Sequence, residues 1–276
     1  MSVPNDKNKI IEHYDVVSPY YYKLWGEHLH HGYWRRGDES KEVAQLQLIQ
    51  YLAQLAEIPP KASILDLGCG YGGSSIFLCQ MYQAQTTGIT ISPVQVEMAT
   101  AAAARSGVNA RFLLMDAEVL KFDAQFDVLW SVESISHYHD REQFFSSAAK
   151  FLRPGGTFAL TDWFKKPGLS SGDVTKYIEP IERGMFVRLE EIGDYLSYLR
   201  AAGLEIIQNE ELTEHCRKTW EIGAEIITEK SFWGLAAKYG TDFIQYLKGF
   251  QAMREGFSSG AFVYGLLVAR KPATSS

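Results

Sequence analysis

Cysteine and concentrated positive charge are what the sequence has least of. Only Cys69, Cys79 and Cys216 are present, an odd number without C-x-x-C spacing. That excludes a paired disulfide framework and a structural zinc site, and makes a reducing cytoplasm the expected compartment. No Lys/Arg block is longer than two residues and the formal net charge is −6. Long-range attraction to phosphate backbones or anionic lipid is therefore missing, and nucleic acid is not expected as a partner. No stretch of about 18 uninterrupted apolar residues occurs, so no membrane span is expected. Residues 1–7 carry no apolar signal core, which speaks against export. Fixed-period repeats and low-complexity tracts are lacking too. What is there, 46% hydrophobic and 22% charged residues, is a globular composition with ample material for one large α/β core.

Organisation shows in apolar runs that alternate with helical patterns from residue 62 onward. Residues 63–66 read as a short buried strand that ends in a glycine turn, with a helix over 74–81. Residues 86–91 form a second β-rich run. Ser92 and Pro93 then supply an N-cap and a first-turn proline for an alanine-rich helix through Arg105, which Gly107 stops. Residues 110–115 and 126–132 read as the third and fourth strands. A helix capped by Asp140 and closed by Pro154-Gly155-Gly156 follows, and residues 157–162 make the fifth strand. The sixth and seventh strands are expected at 204–208 and 262–269.

Strands and helices in alternation imply parallel crossovers with helices on both faces. The expected class is α/β, a Rossmann-like seven-stranded sheet with an N-terminal helical segment and a C-terminal helical lid insertion. Residues 1–60 are predicted as the N-terminal cap and 61–163 as the ligand-binding core. Residues 164–276 complete that core and carry lid helices at about 164–203 and 209–257. The second lid fills a roughly 45-residue gap where a hairpin needs only a few residues.

The first strand runs into Asp66-Leu67-Gly68-Cys69-Gly70-Tyr71-Gly72-Gly73, a G-x-G-x-x-G match between strand and helix. Glycines let a ligand approach the backbone, and the helix N-terminus offers free N–H groups to a carboxylate or phosphate. Asp66 decides between ligands: its carboxylate repels a pyrophosphate but accepts from an α-ammonium group. A NAD site also wants an acidic residue about 20 positions further on, where this chain has Thr90. S-adenosylmethionine (SAM), which carries an amino acid, fits better than a dinucleotide. A glycine turn used only for packing is the bland alternative.

Residues 61–163 resemble the class I SAM-dependent methyltransferases, with Leu65-Asp66-Leu67-Gly68-Cys69-Gly70 as that family's first motif. The resemblance implies that Asp66, Gly68, Cys69 and Gly70 hold the methionine part of SAM. It also implies that Thr90, Ile91 and Gln95 lie by the ribose and adenine, and that Asp116 and Ala117 reach the adenine edge. The N-terminal His13-Tyr14-Asp15 and residues 24–34, with Trp130-Ser131-Val132-Glu133-Ser134 and His137, are similar to the γ-tocopherol methyltransferase group. The sugar O-methyltransferases of indolocarbazole biosynthesis are similar in the same segments. Ser131 and Glu133 are implied as further cofactor contacts. Acceptors across that group include phenolic rings, terpenoids, alkaloid nitrogens and sugar hydroxyls. Prenyl diphosphates also occur, and would bring Mg²⁺. S-adenosylhomocysteine (SAH) is the product, and a monomer or homodimer is expected.

A sulfonium methyl is already activated, so the protein must chiefly align a nucleophile and exclude water. A hydroxyl acceptor gains from a base, and His137, just past the fourth strand at the carboxyl edge of the sheet, is the leading candidate. Asp162, at the end of the fifth strand, is the second. In the sugar-modifying relatives a histidine and an aspartate at these positions act on the acceptor hydroxyl, although Ser136 stands where they keep a second histidine. Tyr14, Tyr22, Trp25, His30, Trp163 and Trp220 are predicted to wall the substrate. His28, His30 and His31 crowd together but lack further ligand spacing, so no metal is assigned. A non-catalytic SAM-binding regulator and an NAD(P)-dependent reductase are the competing readings.

Overall fold

The computed structural model describes residues 6–227, 233 and 242–273. Seven strands form one sheet: β1 (Ser63–Leu67), β2 (Gln85–Thr90), β3 (Ala110–Leu114), β4 (Phe126–Val132), β5 (Leu152–Lys165), β6 (Glu205–Glu211) and β7 (Phe262–Arg270). Their spatial order is β3-β2-β1-β4-β5-β7-β6. β1 to β5 are mutually parallel where they pair, whereas β7 runs antiparallel to both β5 and β6. The alternation of strands and helices predicted parallel pairing, and β7 departs from it for a geometric reason. β6 ends at Glu211, which pairs with Gly265 near the start of β7. The intervening helices therefore return the chain to the edge it left, and the returning strand must run back.

Helices cover both faces. Ahead of the sheet lie α1 (Lys7–Trp25), capped by the Asp6 carboxylate on Asn8 N–H, and α2 (Lys41–Leu55). The crossovers are α3 (Gly73–Tyr82), α4 (Pro93–Ser106) and α5 (Arg141–Ala148). Ser92 and Asp140 accept from the backbones of Gln95 and Gln143 at their helix starts, and Gly107 closes α4 in the left-handed conformation. A helical run then passes through α6 (Ser171–Asp173), a wide turn at Val174–Ile178 and α7 (Glu179–Met185). Next come α8 (Ile192–Ala201), α9 (Thr213–Cys216), α10 (Lys218–Ile226) and α11 (Asp242–Ser259). Of the lid predicted over 209–257, residues 209–211 belong to β6 and the described remainder is mainly helical. Its residues 228–232 and 234–241, like residues 1–5 of the cap, lie outside the described residues.

Period-two alternation sorts the strands' apolar side chains into two cores. Ile64, Val128, Trp130, Tyr264, Leu266 and Val268 face α2, α3 and the C-terminal helices. Leu65, Leu67, Leu129, Phe158, Leu267 and Ala269 face α5 and α8. Strands buried on both sides read as the unbroken apolar runs found in the sequence. β5 begins earlier than predicted, because Gly155 and Gly156 bond to Lys271 beyond the end of β7 instead of ending a helix.

Candidate active site

The carboxyl ends of β1, β2 and β4 open into a cavity roofed by α1 and by the segment that follows it. Such an edge is where ligands collect in doubly wound sheets. α1 is fastened across this opening from three sides. Lys7 Nζ lies 2.8 Å from Glu118 and also pairs with Asp116. Ser92 Oγ donates to Asp15, and Gln95 Nε2 donates to Ser18 Oγ at 3.1 Å. Tyr71 OH donates to Gly26 O at 3.0 Å, tying down the end of the helix.

Every residue predicted for the cofactor from Asp66 to Ala117 lines this cavity: Asp66, Gly68, Cys69, Gly70, Thr90, Ile91, Gln95, Asp116 and Ala117. Asp66 is buried and takes a 2.6 Å hydrogen bond from Ser75 Oγ. Burial pushes its carboxyl up to about 7 against that bond, so a cationic neighbour is what would keep it ionised. Thr90 Oγ1 donates to Gln95 Oε1 at 2.6 Å, joining the end of β2 to α4.

The glycines divide the work. A Cβ on Gly70, whose φ is +52°, would meet no protein atom within 4 Å although the residue forms the wall. That room is the cradle an amino-acid ligand needs. A Cβ on Gly73 would instead press 2.6 Å from His28 Nδ1, so this glycine serves the close approach of the roof segment.

The other half of the cavity is aromatic and imidazole-rich, with Tyr14, Trp25, His30, Trp163 and Trp220 in the wall. His137 lies there on the turn Ile135–His137 after β4. Its Nδ1 is 3.1 Å from Phe186 O, a carbonyl that can only accept, so the ring proton sits on Nδ1. Nε2 is then an acceptor, and Tyr14 OH donates to it at 2.8 Å. Burial drives the His137 pKa down to about 4, with Arg141 adding to the effect and the Phe186 bond opposing it. The imidazole is neutral in the physiological range. Burial also raises the Tyr14 phenol above its ordinary value, with Glu133 and Asp162 reinforcing it, so the phenol keeps its proton.

Three expected residues stand outside the wall. Ser131 is fully buried beneath it, with Oγ 2.8 Å from Ser134 Oγ. Tyr22 packs edge-on against Tyr71 and does not itself line the cavity. Asp162 is committed to the backbone: Oδ2 accepts from Ser136 N at 2.8 Å and Tyr195 OH at 3.1 Å, and Oδ1 from its own neighbour Trp163 N. It holds the turn that carries His137 and does not line the cavity.

Glu133 does line the cavity, but on the aromatic side. Its Oε1 accepts from His31 N at 2.7 Å, His31 Nδ1 at 3.1 Å and Tyr264 OH at 2.7 Å, and its Oε2 from Trp163 Nε1 at 3.0 Å. Burial would raise this carboxyl, yet His31, His30 and the hydrogen bonds outweigh it and hold the pKa below the ordinary range. Tyr264 and Lys7 were not singled out from sequence, whereas His31 entered only as one of three crowded histidines and His13 only as part of the family motif. His13 stacks edge-on against Tyr14 and, through burial, stays neutral with its pKa down to about 3. Among the described residues no three His, Cys, Asp or Glu side chains are grouped to hold a metal ion. Nor is any described helix long and apolar enough to cross a membrane.

Comparison with known proteins agrees with this geometry. The family model for mycolic acid cyclopropane synthetase matches residues 2–261. The chain belongs to this family. A 27-O-demethylrifamycin SV methyltransferase of Amycolatopsis mediterranei (strain S699) is 34% identical, covering 96% of this chain and 97% of the relative. The chloroplastic tocopherol O-methyltransferase of Arabidopsis thaliana is 28% identical, covering 95% and 82%. Among solved structures, the mycolic acid cyclopropane synthase CmaA1 complexed with SAH and CTAB superposes with a TM-score of 0.86 at 22% identity, covering 98% and 100%. The cyclase SpnF gives 0.84 at 27% identity, covering 96% and 95%. The chain is thus a SAM-dependent methyltransferase of small molecules with a Rossmann-like fold, as its glycine turn and Asp66 predicted.

Proposed function

We propose that this enzyme methylates a hydroxyl on an apolar, ring-bearing acceptor, with His137 receiving the hydroxyl proton. The observation that carries the reading is the 2.8 Å Tyr14–His137 bond inside an aromatic-walled cavity. Bound SAM supplies a sulfonium methyl whose positive charge disappears on transfer. Asp66 and the backbone from Gly68 to Gly70 would hold its amino-acid end, with Thr90, Gln95 and Ala117 toward the nucleoside.

The chain's own part is proton handling and exclusion of water. Tyr14 donates its proton to His137 Nε2, which leaves its oxygen lone pairs free to accept from an acceptor hydroxyl. As the acceptor oxygen loses its proton, Tyr14 takes it up and passes its own to Nε2. His137 becomes an imidazolium while Phe186 O continues to hold Nδ1–H. A positive charge therefore appears in the pocket as another is lost, which suits a site too dry to tolerate a change in net charge. Asp162 fixes the turn and takes no proton. Lys7, the one cation in the wall among the described residues, is spent on Asp116 and Glu118. A diphosphate acceptor with its Mg²⁺ is accordingly not part of this reading. The three unpaired thiols suit a cytoplasmic enzyme.

Labelled methyl transfer to naphthols, sugars, indoles and prenyl diphosphates tests this. Aryl methyl ethers are the expected products, with kcat falling about 10²- to 10⁴-fold in His137→Gln at unchanged SAH affinity. Transfer confined to sugars or diphosphates, or full turnover by His137→Gln, would sink the reading.

A further inference from the structure

We infer that the cavity contains a second anchoring site, formed by His31 and Trp220, that takes another hydroxyl of the same acceptor. Two buried polar atoms carry the argument. His31 Nε2 and Trp220 Nε1 have no hydrogen-bond partner among the described residues, although both side chains line the cavity and are more than nine-tenths buried. Their rings lie 5.0 Å apart, centroid to centroid.

The protonation of His31 follows from Glu133. His31 Nδ1 is 3.1 Å from Glu133 Oε1, and four donor contacts keep that carboxylate an acceptor. Nδ1 therefore carries a proton, and in the neutral imidazole Nε2 keeps a lone pair. Trp220 Nε1–H can only donate. An acceptor on one of two adjoining rings and an N–H donor on the other, both buried, are matched by a hydroxyl, which donates to the first and accepts from the second. An ether, a ketone or a hydrocarbon leaves one or both of the atoms unpaired.

The position assigns this pair to the acceptor. His31 packs against Trp163, Trp220, Phe257 and Tyr264, all from β5, β7 and the C-terminal helices, and no ring contact or hydrogen bond ties its side chain to the glycine turn. Both ends of a dihydroxylated acceptor would then be held, one at His137–Tyr14 for reaction and the other at His31–Trp220 for orientation. This rests on the proposed O-methylation for the identity of the reacting end.

The test reads binding, so that it is separable from turnover. Calorimetry on the full chain with SAH present would compare naphthalenediols of differing hydroxyl separation with the mono-hydroxy naphthols. At least one diol should bind about 10- to 100-fold more tightly than its mono-hydroxy counterpart, the size of one buried hydrogen-bonded group. Trp220→Phe keeps the ring and removes the donor. His31→Asn keeps a donor toward Glu133 and removes the Nε2 atom. Each should abolish the diol preference, read as the ratio of diol to naphthol affinity, while leaving SAH affinity unchanged. No diol preference in the wild type, or a preference that survives both substitutions, overturns the site. Tight diol binding without methyl transfer would overturn the O-methylation reading and leave this site standing.

Discussion

At the scale of single residues, the cofactor half of the site was legible because its chemistry is local. Asp66, Gly68 and Gly70 lie within one turn, and backbone freedom with a nearby carboxylate leaves a recognisable spacing. The acceptor half was partly legible, in Tyr14, Trp25, His30, Trp163, Trp220 and His137, but the pairing of His31 with Glu133 was not, because the two are separated by 102 residues and meet only after folding. Asp162 was misplaced for a related reason: strand position predicts an edge, but not whether a carboxylate turns outward or into its own loop. Gly70 permits a controlled test of the cradle. Gly70 and Gly107 both have positive φ, at +52° and +64°, and neither has protein within 4 Å of an added Cβ. Alanine at either should cost about 1–2 kcal/mol of stability from left-handed strain. Only Gly70→Ala should weaken SAH, by tenfold or more in calorimetry. Equal SAH affinities in the two variants would remove Gly70 from the cofactor site.

At the scale of elements, strands and crossover helices were read well where both faces are buried or a cap is explicit, as at Ser92, Asp140 and Gly107. The direction of β7 was not, since strand polarity depends on where a long insertion returns. The role of α1 was also hidden, because its fastening residues Lys7, Asp15 and Ser18 pair with partners far along the chain. Those fastenings span the cofactor half of the cavity, so α1 is expected to loosen when SAM enters or SAH leaves. Lys7 is the most accessible of them, 35% exposed, and an ion pair of that exposure is worth at most about 1 kcal/mol. Lys7→Met should raise the SAH Kd by no more than about fivefold, mainly through faster dissociation. Lys7→Arg should restore it. Stopped-flow release of SAH measures this, and an unchanged off-rate in Lys7→Met would mean that α1 does not gate the cofactor.

For the whole molecule, the site's dryness sets its response to acid. His13 and His28 are held neutral with pKa values down to about 3, His137 to about 4, and His30 also below its ordinary value, burial being the main cause each time. Each binds a proton near pH 6.5 once unfolded. Asp66 and Asp162 act in the opposite sense, because burial raises them to about 7 and about 6 and they lose protons on unfolding. Between pH 6 and pH 5 His13, His28 and His137 take up protons on unfolding against two carboxyls that release them, and His30 acts in the same sense as the other imidazoles, so the unfolded chain binds about one to two more protons than the native one. Stability should then fall with falling pH, by about 1–3 kcal/mol per unit. A mesophilic domain has about 5–15 kcal/mol in hand, so such a slope removes a substantial fraction of it over about two pH units. Guanidinium denaturation of the cofactor-free chain at pH 6 and pH 5 measures the slope, and His13→Phe should reduce it by about one proton's worth, about 1.4 kcal/mol per unit. Stability that stays level or rises over this interval would show that these imidazoles are hydrated in the native cavity, which would also remove the dry environment on which proton transfer from Tyr14 to His137 depends.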